Sequence, residues 1–90
     1  MSPEGKMYEL ERVKNTIKSF GWVVMGSSID GDKVKVQFEK TLTGMSPDMK
    51  SFEVDRIAGM IKNIGWSVVS SRFADDKAIV EFEKVVKEIV

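Results

Sequence analysis

Few side chains in this chain of 90 residues can do chemistry, and the missing types set the first constraint. There is no His and no Cys, which removes imidazole bases, thiolate nucleophiles and the two commonest zinc ligands. Ser27-Ser28 and Ser70-Ser71 are hydroxyl pairs. A serine nucleophile needs an oriented base, so these read as surface strand serines. Asp30/Asp32 and Asp75/Asp76 are paired carboxylates of the kind that hold calcium or magnesium. No segment offers the roughly six or more spaced oxygens of a calcium site, and Asp and Gly are ordinary turn residues. Glu39, Glu81 and Glu83 could serve as acid and base, but each has a lysine opposite or adjacent in the expected sheet, which keeps it ionised. Gly26, Gly31 and Gly44 form neither a phosphate loop nor a dinucleotide fingerprint. The expectation is a protein without enzymatic activity and with no catalytic, cofactor-binding or metal-ligating residue.

Composition narrows the class. Fourteen Lys and Arg balance fourteen Asp and Glu, so no global field draws the chain to nucleic acid, anionic lipid or an acidic substrate. Hydrophobic residues at 42% and charged residues at 31% are ordinary globular usage. The longest apolar runs, such as Trp22–Met25, fall far short of the roughly 20 residues of a membrane helix. Met1-Ser2-Pro3-Glu4 opens no signal peptide and there is no cysteine to staple a secreted miniprotein, so a cytoplasmic protein is expected. Lys and Glu total 19 while Asn and Gln total 3, a bias of thermostable proteins, against which the six Met residues weigh.

A shift of 44 residues lays 1–44 over 45–88 without a gap and matches 18 of 44 positions. The identities include Glu9/Glu53, Gly21/Gly65, Trp22/Trp66, Val36/Val80, Phe38/Phe82 and Lys40/Lys84. A single domain, 1–90, built from two tandem repeats is the consequence. Each repeat opens with Ser-Pro-acid, a helix cap followed by proline at the first helical position and a carboxylate at the positive helix end. Apolar residues then recur at Leu10, Val13, Ile17 and Phe20, and at Val54, Ile57, Ile61 and Ile64, the stripe of one helix face. Gly21 and Gly65 stand where a left-handed residue ends a helix. Trp22–Ile29 and Trp66–Phe73 read as strands, Asp30-Gly31-Asp32 and Ala74-Asp75-Asp76 as turns, and Lys33–Lys40 and Lys77–Lys84 as half-buried strands. Helix, strand, strand therefore occurs twice.

These elements predict an α+β two-layer sandwich: a four-stranded antiparallel sheet in order 1-2-4-3 with both helices on one face. The order follows from setting Val36 opposite Val80, which places Lys35 against Glu81, Lys33 against Glu83 and Glu39 against Lys77, with Val34 against Phe82 and Phe38 against Ala78 on the other face. Two-residue and three-residue hairpin loops give the outer strands opposite parities. The tryptophans decide it here, since a residue after the helix-ending glycine packs on the last helical turns. Trp22, Val24, Trp66 and Val68 then join Val34, Val36, Phe38, Ala78, Val80 and Phe82 in the core. The open face keeps Val23, Met25, Ile29, Val69, Phe73 and Ile79 among Lys33, Lys35 and Lys77, and these nine are the candidate interaction face. The tail 85–90 fits a short amphipathic helix or a continuation of the fourth strand.

The layout resembles a small class of archaeal duplicated helix-hairpin sandwich domains and, more distantly, the saddle of TATA-binding proteins. The resemblance is one of topology, spans the whole chain and implies no site residues. The saddle has more strands per repeat and a basic underside wedged with phenylalanine, which this neutral chain lacks. The outer strands hold almost no charge, Arg72 excepted, and since natural edges are usually protected by lysine, proline or bulges, these read as unprotected. The expected function is a protein-interaction or self-associating module, with a protein partner or a second copy. The alternative is a nucleic-acid-binding domain that uses the open face, Phe73 stacking bases beside Lys33, Lys35 and Lys77.

Overall fold

The two halves fold into the same three elements. A computed structural model describes residues 3–86, in the order α1 (Pro3–Ser19), β1 (Val23–Asp30), β2 (Lys33–Thr41), α2 (Pro47–Asn63), β3 (Ser67–Ala74) and β4 (Lys77–Val85). Ser46 caps α2: its backbone is extended at φ −68°, ψ 161°, and its hydroxyl accepts the Met49 N–H at 3.3 Å, with Pro47 next and Asp48 in the first turn. The corresponding cap, Ser2, lies outside the described residues, as do 87–90 of the tail. The fourth strand continues through Val85 and Val86 is buried.

Both helices end as the glycines predict. Gly21 (φ +84°) and Gly65 (φ +92°) are left-handed. Their N–H groups donate to Lys18 and Lys62 carbonyls at 3.0 Å, and the following Trp22 and Trp66 N–H groups donate to Ile17 and Ile61 carbonyls at 3.2 Å. This pair of reverse bonds is the Schellman ending. It turns the chain back so that each tryptophan drops under the helix just completed, and both are only 2% exposed.

The sheet is antiparallel in order β1-β2-β4-β3. One cluster joins the helix stripes to its inner face: Leu10, Val13, Ile17, Ile57 and Ile61 with Val34, Val36, Phe38, Ala78, Val80, Phe82 and both tryptophans. Val24 and Val68 pack against it partly buried.

The central register differs by two residues from the one the ion pairs suggest. Val36 faces Phe82 and Phe38 faces Val80, so Gln37 and Glu81 meet at the pseudo-twofold. Lys35 stands opposite Glu83 rather than Glu81, Lys33 opposite Val85, and Glu39 opposite Ile79. Of the three expected charge pairs only Lys77 with Glu39 is made, as a diagonal contact of 3.5 Å. Packing decides the register. In it Phe38 and Phe82 become diagonal neighbours and stack with centroids 5.0 Å apart, while Trp22 meets Phe38 edge-on at 5.4 Å. The ladder also lengthens. Leu42 N–H donates to Asp76 carbonyl at 2.6 Å and Val86 N–H to Asp32 carbonyl at 2.7 Å, which carries both apolar side chains into the core. Surface ion pairs contribute about 0–1 kcal/mol each, less than the burial of two large aliphatic groups.

The outer strands hold the second departure. Each carries a bulge, at Met25 between Val24 and Gly26 and at Val69 between Val68 and Ser70. Before the bulge the parity is the one set by the tryptophans: Val24 opposes Phe38 and Val23 opposes Glu39. Beyond it the parity is the one set by the two-residue turns: Ile29 opposes Val34 and Phe73 opposes Ala78. The extra residue lets both requirements hold.

Charged ties cross from one half to the other. Lys40 Nζ lies 3.1 Å from Glu53 on α2 and donates to the Phe20 carbonyl at 3.3 Å. Lys84 Nζ lies 2.8 Å from Glu9 on α1 and donates to the Ile64 carbonyl at 3.1 Å. A Cβ on Gly65 would stand 3.3 Å from the Lys84 ammonium, so that glycine serves both the helix ending and the lysine's approach. Arg56 caps the arrangement over the Phe20 ring at 5.2 Å.

Candidate interaction surface

The nine residues expected on one open face divide among three places. Val23, Ile79, Lys33, Lys35 and Lys77 are on the face away from the helices, by their pairing with Glu39, Ser28, Asp30 and Ala74. Met25 and Val69 are the bulge residues, 53% and 46% exposed. Ile29 and Phe73 are corrected to the helix side of the sheet, because the bulge inverts the alternation. They stay 43% and 51% exposed there.

Consequently no aromatic side chain of the described residues lies on the open face. Its surface is a mixture in which Lys33, Lys35, Lys77 and Arg72 alternate with Asp30, Glu39, Glu81 and Glu83. A shallow depression of about 220 Å³ lies on it beside Gly26, lined also by Ser28, Lys35, Gln37 and Glu81. Gly26 leaves it open, having nothing within 4 Å of where a Cβ would be. The other half has Ser70 at that position.

The hairpin turns are tied to the helices by lysines. Lys6 is buried, donates to the Gly31 carbonyl at 2.7 Å and stands 3.8 Å from the Asp32 carboxylate. Lys50 stands 4.0 Å from Asp76. Asp32 and Asp76, the last residue of each turn, thus face a lysine from the first turns of their own half's helix. Ser27 and Ser71 lie in edge strands opposite Val36 and Val80.

The edges are the distinctive feature. From Met25 to Asp30 and from Val69 to Ala74 every residue is exposed, because each helix covers only the start of its outer strand. These segments contain no lysine and no proline. Each has one large apolar side chain beyond the bulge, Ile29 or Phe73. Asp30 and Arg72, the single charges of β1 and β3, form no ion pair among the described residues. Sequence reasoning placed the two nearly uncharged outer strands at the edges of the sheet, as found. It missed the cross-half lysines and the core roles of Leu42 and Val86, although identity at Glu9/Glu53 and Lys40/Lys84 marked the residues of the ties without naming their partners.

Comparison of the chain with family models, with curated proteins and with solved structures yields no match. No helix among the described residues is long and apolar enough to cross a membrane.

Proposed function

We propose that the protein is a non-enzymatic interaction module that offers its outer strands to another β-strand. The observation that carries this is the exposure of Gly26–Asp30 and Ser70–Ala74 on both faces without the lysine or proline that commonly blunts an edge; the bulge, a third such device, sits at the start of each strand and leaves these segments regularly paired beyond it. Strand addition draws affinity from main-chain hydrogen bonds and specificity from alternate side chains. Ile29 and Phe73 are the side chains available for the second task. Nucleic-acid binding on the open face loses its stacking residue once Phe73 stands on the helix side, and the interspersed carboxylates oppose phosphate there.

Amide chemical shifts of the labelled protein separate the two. Extended peptides selected for binding should shift Gly26–Asp30 and Ser70–Ala74 and leave β2 and β4 unmoved. Single-stranded or duplex oligonucleotides that instead shift Lys33, Lys35 and Lys77 would overturn the proposal.

A further inference from the structure

The strand offered to each edge can be specified, given the edge-strand reading above. We infer that it is the opposite edge of a second copy, β1 of one chain pairing antiparallel with β3 of the next. Strand direction permits it. β1 and β3 run antiparallel across the sheet, so a translated copy presents β3 antiparallel to β1 with both helix layers on the same side.

Register and side chains then agree. Ser28 set opposite Arg72 overlays the two segments beyond the bulges, Gly26 opposite Ala74 and Asp30 opposite Ser70. Faces match: Gly26, Ser28, Asp30, Ser70, Arg72 and Ala74 all share the open side. Asp30 and Arg72 become diagonal neighbours of opposite charge, and on the helix side Ile29 and Phe73 become diagonal apolar neighbours. Two half-exposed side chains and two charges without ion partners are thereby satisfied together. Like edges do worse. The same overlap of β3 with β3 sets Arg72 against Arg72, and β1 with β1 brings neither Asp30 carboxylate a cation beyond the Lys33 already opposite it in its own sheet. Because unlike surfaces join, the assembly does not close at two copies and extends into an open row.

Sedimentation of the whole protein over a concentration series tests this. The wild-type chain should grow past a dimer as concentration rises. Asp30→Arg and Arg72→Asp should each weaken association about tenfold by replacing attraction with repulsion. An equimolar mixture of the two variants should recover it, since the Arg at 30 meets the Asp at 72. Both positions are exposed, and unchanged melting midpoints will show that the variants fold. A wild-type chain that stays monomeric, single variants that associate as the wild type does, or a mixture no stronger than its components would each overturn the pairing. If the chain stays monomeric while a strand peptide still shifts Gly26–Asp30, the second copy is excluded and the edge-strand reading survives.

Discussion

At the residue scale the tryptophans bear most of the weight. Each follows a left-handed glycine, is 2% exposed and sits in the one core cluster. Trp22→Ala and Trp66→Ala should each destabilise by about 3–5 kcal/mol, a large share of the 5–15 kcal/mol typical of a domain, read as a lower urea midpoint. The two are not equal. The Trp66 indole N–H is buried without a hydrogen-bond partner among the described residues, and such an orphan costs about 1–3 kcal/mol. Trp66→Phe removes it, so that variant should lose less stability than Trp22→Phe, which also gives up an indole contact with Phe38; equal losses would refute the distinction. Both burials were legible in the sequence because the glycine-tryptophan junction is local: a helix end dictates where the next side chain goes.

Elements show where legibility stops. The tryptophans demanded one parity for the outer strands and the two-residue turns the other, and no residue type announced that a bulge would grant both. Gly26 hints at it in the first half, but Ser70 stands at the equivalent place. Deletion of Met25 should therefore strip β1 from the sheet or expose Trp22, and the loss of dispersed β1 amide signals together with a lower urea midpoint would show it. The central register escaped for a different reason. Three charge pairs favoured one alignment, while the stack of Phe38 on Phe82 and the burial of Leu42 and Val86 favoured another two residues away. Burial prevailed, as its larger energy requires. The cross-half lysines were equally hidden, since identity under the 44-residue shift cannot tell a bond within a half from one across. Lys40→Met leaves the Glu53 carboxylate and the Phe20 carbonyl without their donor. It should cost about 1–3 kcal/mol, measured by chemical denaturation, with a similar loss for Lys84→Met.

The molecule as a whole is long for its size. Its radius of gyration is 13.7 Å and its extents are 49 × 21 × 21 Å, against about 12 Å expected for a compact chain of this length. A row joined edge to edge would extend the sheet sideways while the twist of about 20–25° per strand turned each copy by about 90° relative to the last. Within one copy, the ties of Lys40 to Glu53 and of Lys84 to Glu9 fasten each half's inner strand to the other half's helix. Neither helix can lift without breaking a contact to the strand that belongs to its counterpart. The two halves should therefore open as one cooperative unit. Native-state hydrogen exchange should give the protected amides of β2 and β4 a common opening free energy and a common denaturant slope. Lys40→Met with Lys84→Met should uncouple them, so that α1 and α2 exchange through partial openings before the central strands do.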